Sequence, residues 1–150
     1  MNLTISIRDP LLADEQAWRQ LWSEYNAFYK AKVPEAVTAR TWQRILDPNS
    51  PIVCRLAEVD ASRSVGFSIC VLHEGTWTVT PICYLEDLFV SPQFRLAGIG
   101  RRLMQDVVDR AGANQWSRVY WHTRAGNPAR RLYDKFAQVD DFVRYRLLLQ

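Results

Sequence analysis

Residues 82–102, which read ICYLEDLFVSPQFRLAGIGRR, decide the fold of this protein. Their first nine residues are rich in β-prone apolar side chains and predict a strand over 82–90. Pro92 breaks that strand, and a Gly-x-Gly turn at 98–100 leads into a pattern typical of a helix over about 99–111. Such a turn between a strand and a helix binds phosphate, because glycine allows close approach and the first helical N–H groups are free to donate.

Spacing separates this turn from two other phosphate-binding motifs. A P-loop requires Gly-Lys-Ser/Thr at the start of the helix, but Gly100 is followed by Arg101 and Arg102. A dinucleotide fingerprint requires a third glycine three residues after Gly100, where the chain has Leu103. The remaining pattern, Arg-x-x-Gly-x-Gly over 95–100, indicates by itself only that an anion binds at the start of a helix.

Outside this stretch, the hydrophobic pattern alternates between short strands and amphipathic helices. Strands are predicted over 4–8, 52–59, 65–73, 82–90, 118–123 and 142–149, with a short β-prone segment at 77–80. Helices are predicted over 14–30, 38–46, 99–111 and 128–136. This order predicts a mixed sheet with helices on its faces. The length favours one domain over 1–150.

Composition excludes several classes of function. No apolar stretch approaches the roughly 18 residues of a membrane span, and the alternating N-terminus does not fit a signal peptide, so no membrane association is expected. Cys54, Cys70 and Cys83 lie in apolar stretches and predict buried free thiols in a cytoplasmic protein. His73 and His122 are too few, and too far from paired cysteines, for a zinc site, so no metal is expected.

The charge of the chain is mild, and its distribution is uneven. The net charge of +3 does not predict a nucleic-acid partner. Between residues 95 and 135, however, nine arginines and lysines stand against three aspartates. That local excess suits a small polyanion bound near the glycine turn.

The surroundings of the turn are similar to those of the GNAT superfamily of acetyltransferases. The likeness is closest to the branch with the diamine and spermidine/spermine enzymes and the small yeast histone and polyamine acetyltransferases. Four stretches follow the family's order: 84–90 resembles the fourth strand, 119–123 the fifth, 127–136 the next helix and 142–146 the last strand. The resemblance implies a GNAT-type α/β (α+β) fold, whose mixed, mainly antiparallel, central sheet has about six to seven strands and about four flanking helices.

The same resemblance implies that acetyl-coenzyme A is the cosubstrate. The predicted pyrophosphate contacts are the residues of the turn: Arg95, Leu96, Ala97, Gly98, Ile99, Gly100 and Arg101. The family's strand bulges around residues 88–90, which predicts pantetheine contacts from the main chain of Leu88, Phe89 and Val90, with the Leu88 amide as oxyanion donor. Asn127 and Arg130 complete the predicted set, although Asn127 is displaced by one residue from the family's asparagine.

Acetyl transfer to an amine requires a proton acceptor for the amine and a proton donor for the leaving thiolate. An alkyl amine has a pKa of about 10.4 and is protonated at neutral pH. By resemblance, Glu86 accepts that proton, through water, and Tyr133 protonates the thiolate. The alternative for Glu86 is a strand carboxylate paired with an arginine. Strict alternation places Glu86 and Leu88 on one face of the strand and Asp87 on the other, which predicts a structural role for Asp87.

The family forms its acceptor site from the first two helices and a neighbouring strand. Tyr25, Tyr29 and Glu24, late in the first predicted helix, are therefore the predicted substrate contacts together with Glu86. Aromatic faces and carboxylates suit a cation, and the predicted acceptor is a small-molecule primary amine such as a polyamine, a diamine or an amino acid. A protein lysine or N-terminal acetyltransferase and a non-catalytic coenzyme A-binding module are the open alternatives. A homodimer is implied by the resemblance alone.

Overall fold

Five of the predicted strands and the four predicted helices are present, in the predicted order. The computed structural model describes residues 2–150. Its strands are β1 (Ile5–Arg8), β2 (Ile52–Val59), β3 (Arg63–His73), β4 (Ile82–Val90) and β5 (Arg118–Tyr120). Its helices are α1 (Glu15–Phe28), α2 (Glu35–Leu46), α3 (Ile99–Ala113) and α4 (Arg130–Tyr133). Short 3-10 turns precede α1 and follow β4, at Leu12–Asp14 and Pro92–Phe94.

The strands form one sheet in the order β1-β2-β3-β4-β5. Pairing is antiparallel from β1 to β4 and parallel between β4 and β5, where Ile82–Tyr84 lie beside Arg118–Tyr120. The parallel pair follows from the helix α3, because a parallel connection needs a crossover. The predicted mixed, mainly antiparallel, sheet with four helices is confirmed, but within residues 2–150 it has five strands instead of six to seven.

Two predicted strands, 77–80 and 142–149, are absent from the sheet of the described residues, because neither has a strand to pair with. Residues 77–80 lie in a loop in which the side chain of Trp77 is 93% exposed. Residues 142–149 form no strand, and Phe142 is 86% exposed. A segment with alternating apolar side chains forms a strand only when a neighbouring strand provides hydrogen-bond partners for its backbone N–H and C=O groups. The predictions of strand structure for 142–149, and for β5 beyond Tyr120, are therefore wrong for the single chain.

The two faces of the sheet are covered by different helices. On one face, α1 and α2 pack against the sheet through Trp18, Leu21, Trp42, Leu56, Phe67 and Phe89. On the other face, α3 packs through Met104 and Val107 against Cys70, Cys83 and Leu85. The three cysteines are free and buried in this arrangement. Among residues 2–150, no helix is long and apolar enough to cross a bilayer, and no cluster of three or more candidate ligands is arranged to hold a metal ion.

An ion-pair network holds α3 against the sheet. The guanidinium of Arg55 on β2 donates two hydrogen bonds to Asp106 on α3, both of 3.0 Å, and a third to Asp9 at 2.6 Å. Both Arg55 and Asp106 are largely shielded from solvent, and a two-pronged arginine–carboxylate contact is geometrically specific. The orientation of α3 determines where the N–H groups of its first turn point.

Candidate active site

The turn between β4 and α3 is held in an unusual backbone conformation. Leu96 and Gly98 both have left-handed backbones, with φ of 69° and 81°. The Arg95 side chain donates to the carbonyl oxygen of Val90 at 3.1 Å, and its guanidinium lies over the Phe28 ring, 5.2 Å from the centroid. The Arg95 side chain therefore stabilises the turn by contacts with the end of β4 and with α1.

The turn presents six consecutive backbone N–H groups, from Leu96 to Arg101. Within residues 2–150, none of these six amides donates to a protein acceptor. They open the 15-residue helix α3, whose dipole favours an anion at this end. A Cβ atom built on Gly98 would meet nothing within 4 Å, so the turn is open at this position. The site fits the pyrophosphate of coenzyme A.

Beyond Tyr84, β4 has a free edge toward β5, because β5 ends at Tyr120. The backbone groups of Leu88 and Val90 on that edge have no strand partner in the described chain, apart from the Val90 carbonyl that Arg95 contacts. The Phe89 side chain is buried in the core and its main chain pairs with Phe67 of β3, so the geometry does not support Phe89 as a ligand contact. The positions of Leu88 and Val90 suit a pantetheine arm, and the predicted contacts with it stay predictions.

A β-bulge lies at the centre of β4. Opposite β3, Ile69 pairs with Asp87 and Cys70 pairs with Leu85, so Glu86 has no partner across the ladder. An extra residue in one strand shifts the alternation of every side chain that follows it. The bulge in β4 is therefore at Glu86, whereas the resemblance predicted a bulge around residues 88–90.

The bulge reverses the predicted placement of Leu88 and Asp87. Leu88 packs with Leu85 on the α3 side of the sheet. Asp87 lies on the α1 side, where the Tyr25 hydroxyl donates a 2.8 Å hydrogen bond to Asp87 Oδ1. The expectation that Asp87 lies on the face opposite the acceptor site is therefore wrong, because it assumed unbroken alternation.

Asp87 and Glu86 differ sharply in environment. Glu86 is exposed, whereas burial raises the pKa of Asp87 to about 7, against the opposing effect of the hydrogen bond from Tyr25. Asp87 takes part in no ion pair within residues 2–150. Two adjacent carboxylates with such different environments suit different tasks.

A cavity of about 800 Å³ opens between α1, β4 and α4. It brings together four of the residues predicted for catalysis and substrate binding: Tyr25, Tyr29, Glu86 and Tyr133. Leu88 and Arg130, from the predicted cofactor set, line the same cavity. Glu24 does not line it; its carboxylate accepts a 3.2 Å hydrogen bond from Ser91, which links α1 to the end of β4. The geometry does not support Glu24 as a substrate contact.

Tyr133 is the phenol at the α4 side of this cavity. It is half-buried, and its ring meets that of Trp121 edge to face at 5.6 Å. Burial raises the pKa of Tyr133 to about 12, so the hydroxyl keeps its proton throughout the neutral range. A group in that state can donate a proton to a departing thiolate.

Comparison with known proteins supplies the decisive observation. Residues 16–137 match the model of the acetyltransferase (GNAT) family. The chain belongs to that family. This GNAT N-acetyltransferase is 36% identical, over 135 residues, to the D-amino-acid N-acetyltransferase HPA3 of Saccharomyces cerevisiae, a match that covers 89% of the chain and 84% of HPA3.

Solved structures share the fold of this GNAT protein at low sequence identity. One is the ribosomal-protein-alanine N-acetyltransferase from Brucella melitensis biovar Abortus 2308, with a TM-score of 0.80, 21% identity and coverage of 99% of this chain and 100% of that one. Another is AAC(6')-Iy in complex with the bisubstrate analog CoA-S-monomethyl-acetylneamine, with a TM-score of 0.78, 18% identity and coverage of 97% and 99%. At such identities the likeness shows the fold alone.

The GNAT asparagine position is where this chain departs from its family. The side-chain Nδ2 of Asn127 donates to Thr123 Oγ1 at 2.8 Å, and its side-chain Oδ1 accepts from the backbone N–H of Ala129 at 3.0 Å. Both ends of the side chain are thus used to close the loop before α4. The geometry does not support Asn127 as a cofactor contact, because both polar atoms of its side chain already bond within the loop. Arg130 donates to the Ala125 carbonyl at 2.7 Å and still lines the cavity.

Sequence reasoning missed an aromatic wall of this GNAT cavity. Tyr84 on β4 stacks on Tyr120 of β5, with centroids 5.0 Å apart, and its hydroxyl lies 3.3 Å from Nδ1 of His122. All three side chains line the cavity. Their proximity depends on the parallel register that pairs Tyr84 with Tyr120, and a register between distant strands leaves no mark in the local sequence.

Proposed function

We propose that this N-acetyltransferase moves the acetyl group of acetyl-coenzyme A to the primary amine of a small molecule. The observation that carries the proposal is the joint placement of Glu86 and Tyr133 in one cavity, whose Leu88 wall lies on the strand that leads into the six free amides. A carboxylate for the amine and a phenol for the leaving sulfur are the two groups that the reaction requires.

The residues of the chain take the following roles in this proposal. Acetyl-coenzyme A supplies the acetyl group as a thioester. The rings of Tyr25 and Tyr29 and the carboxylate of Glu86 receive the substrate's ammonium group, and Glu86 takes its first proton through water. The Leu88 amide stabilises the negative charge on the carbonyl oxygen, and Tyr133 gives its proton to the sulfur.

Cavity size and charge favour an amino acid among the small amines. About 800 Å³ is within the range of small-molecule sites, and Glu86 shares the cavity with Arg124. A carboxylate and a guanidinium together match the two charges of an amino acid. The relative HPA3 is named for D-amino acids, which supports the same class of acceptor.

A screen of acceptors with acetyl-coenzyme A tests the function, with thiol release as the readout. The panel comprises L- and D-amino acids, diamines, polyamines, and peptides with a free N-terminus or lysine. We expect turnover with free amino acids or other small amines and little with the peptides. Turnover confined to peptides would identify a protein acetyltransferase, and coenzyme A binding without any turnover would identify a binding module.

Glu86→Gln should reduce kcat/KM most at neutral pH and recover partly at alkaline pH. The reason is that a neutral amide neither attracts the ammonium group nor accepts its proton, whereas at alkaline pH the amine loses that proton unaided. The measurement is the pH profile of thiol release. Glu74→Gln, in an exposed loop outside the cavity, removes the same charge and is the control. A Glu86→Gln profile that matches the wild type would remove Glu86 from this role.

We further propose a cytoplasmic homodimer, in which residues 142–149 of each chain pair with a strand of the other. These residues alternate as a strand does, expose their apolar side chains, and follow a sheet that ends at the free edge of β5. Light scattering should give twice the 17.4 kDa of one chain. The double variant Val143→Lys, Leu147→Lys should be monomeric, with an unchanged circular dichroism spectrum. A monomeric wild type would contradict the proposal.

A further inference from the structure

Asp87 is a desolvated carboxylate that the proposed function leaves without a task. Its only hydrogen-bond partner in the described chain is the Tyr25 hydroxyl, at 2.8 Å. Tyr25 lines the cavity, and Asp87 does not. Tyr25 is therefore the residue that both contacts this carboxylate and lines the cavity.

Acetyl transfer to an ammonium group leaves a second proton to be removed from the substrate nitrogen. An ammonium group that becomes an amide nitrogen loses two protons, one before it attacks the carbonyl carbon and one afterwards. In the proposed function Glu86 accepts the first proton, and no residue is assigned to accept the second. Tyr133 cannot accept it while it still holds its own proton for the sulfur.

The groups around Asp87 leave its charge uncompensated. The titratable side chains that face Asp87 or its phenol partner are Tyr25 of α1, Tyr29 at the end of α1, Cys54 of β2, Tyr84 and Glu86 of β4, and Tyr133 of α4. None of these groups is a cation. A desolvated carboxylate without a countercharge is costly to ionise, which is why the pKa of Asp87 rises to about 7. A general base is most effective when its pKa lies near the working pH.

We propose that Tyr25 and Asp87 form a proton relay that takes the second proton from the substrate nitrogen, an inference that rests on the proposed acetyl transfer. As the nitrogen bonds to the carbonyl carbon, its N–H bond breaks and the proton moves to Tyr25 Oη. The proton already on Tyr25 moves to Asp87 Oδ1. The carbon–sulfur bond breaks, and the sulfur takes the Tyr133 proton. One of the two protons removed from nitrogen restores Tyr133, and the other reaches solvent.

Asp87→Asn is the first test, because asparagine still accepts the hydrogen bond from Tyr25 but cannot accept a proton. Only ionised Asp87 can act, so wild-type kcat should rise with pH through a midpoint near 7. Asp87→Asn should lose that rise and lower kcat about tenfold at pH 7.5, with little change in the acceptor's KM. Unlike the loss in Glu86→Gln, this loss should persist at alkaline pH, because the second proton leaves only after attack.

Tyr25→Phe is the second test, because it interrupts the relay and leaves Asp87 in place. It should lower kcat as much as Asp87→Asn, and the double variant should be no slower than either single one, since the two residues act as a unit. Asp109→Asn and Tyr145→Phe, at exposed positions outside the cavity, are the matched controls.

The titration of Asp87 can be checked without turnover, from thermal unfolding as a function of pH. An unfolded aspartate titrates near a pKa of about 3.9, and the folded pKa of Asp87 is raised to about 7. Asp87 therefore contributes stability that is complete below about pH 4 and is lost as the pH rises through 7. The melting temperature of Asp87→Asn, relative to the wild type, should rise between pH 4 and pH 8.

Three results would overturn the relay while the proposed function stands. The first is a wild-type pH profile in both variants, and the second is an unchanged melting difference across pH. The third is a raised acceptor KM with kcat retained, which would make Asp87 a binding group for the ammonium. A wild-type protein that acetylates no amine in the panel would instead refute the proposed function.

Discussion

Tyr133→Phe should lower kcat by about 10²- to 10⁴-fold, the range for loss of a positioned proton donor. The burial that raises the pKa of Tyr133 to about 12 keeps its hydroxyl protonated until the thiolate forms. Phenylalanine preserves the ring that packs against Trp121, so the cavity should keep its shape. The loss should therefore appear in kcat and leave coenzyme A affinity nearly unchanged.

The measurement pairs steady-state kinetics with calorimetric titration of coenzyme A. Tyr145→Phe, on an exposed side chain outside the cavity, removes the same hydroxyl elsewhere and should retain wild-type turnover. Unchanged turnover in Tyr133→Phe would exclude Tyr133 as the donor. A parallel loss of coenzyme A affinity would show instead that the hydroxyl helps to bind the cosubstrate.

Gly98→Val should weaken coenzyme A binding by about 30- to 100-fold, which corresponds to roughly 2–3 kcal/mol. Gly98 has φ of 81°, a left-handed conformation that costs an ordinary residue roughly 1–2 kcal/mol and a β-branched one more. Any relaxation of that angle would turn the neighbouring amides away from a shared anion. The valine side chain would also occupy space at the turn that glycine leaves open.

Calorimetry with coenzyme A measures this loss directly. Gly112→Val is the matched control, because Gly112 lies near the far end of α3, lacks a left-handed backbone and has open space around its Cβ position. Gly112→Val should lower the stability of the protein somewhat and leave its affinity for coenzyme A unchanged. Wild-type affinity in Gly98→Val would show that the turn does not bind the pyrophosphate.

Local patterns predicted most of the fold. The strand, glycine turn and helix over 82–111 were predictable because hydrophobic periodicity, a proline break and two glycines each act within a few residues. The amphipathic face that covers the sheet with α1 was predictable for the same reason. Tyr25 and Tyr29 were assigned to an acceptor site by the resemblance to the family, and both line the cavity. The mixed sheet then followed from the order of the elements.

The departures from expectation at residues 142–149 and at Glu24 depend on distant segments of the chain, whereas the one at Asn127 depends on its own loop. Residues 142–149 have the pattern of a strand, but within the described chain no neighbouring strand pairs with them. Glu24 has the charge for an ammonium group, but its carboxylate is bonded to Ser91 at the end of β4. Asn127 was placed by resemblance, and its loop uses both ends of the side chain.

The sequence by itself determined that a strand carrying Glu86 and Asp87 precedes a glycine turn and a helix, because these features are local. Only the tertiary structure decided which face each carboxylate occupies. The one-residue bulge opposite Ile69 and Cys70 arises from pairing with β3. A single extra residue in a ladder with a side-chain period of two reverses the face of each later side chain, and so Asp87 meets Tyr25.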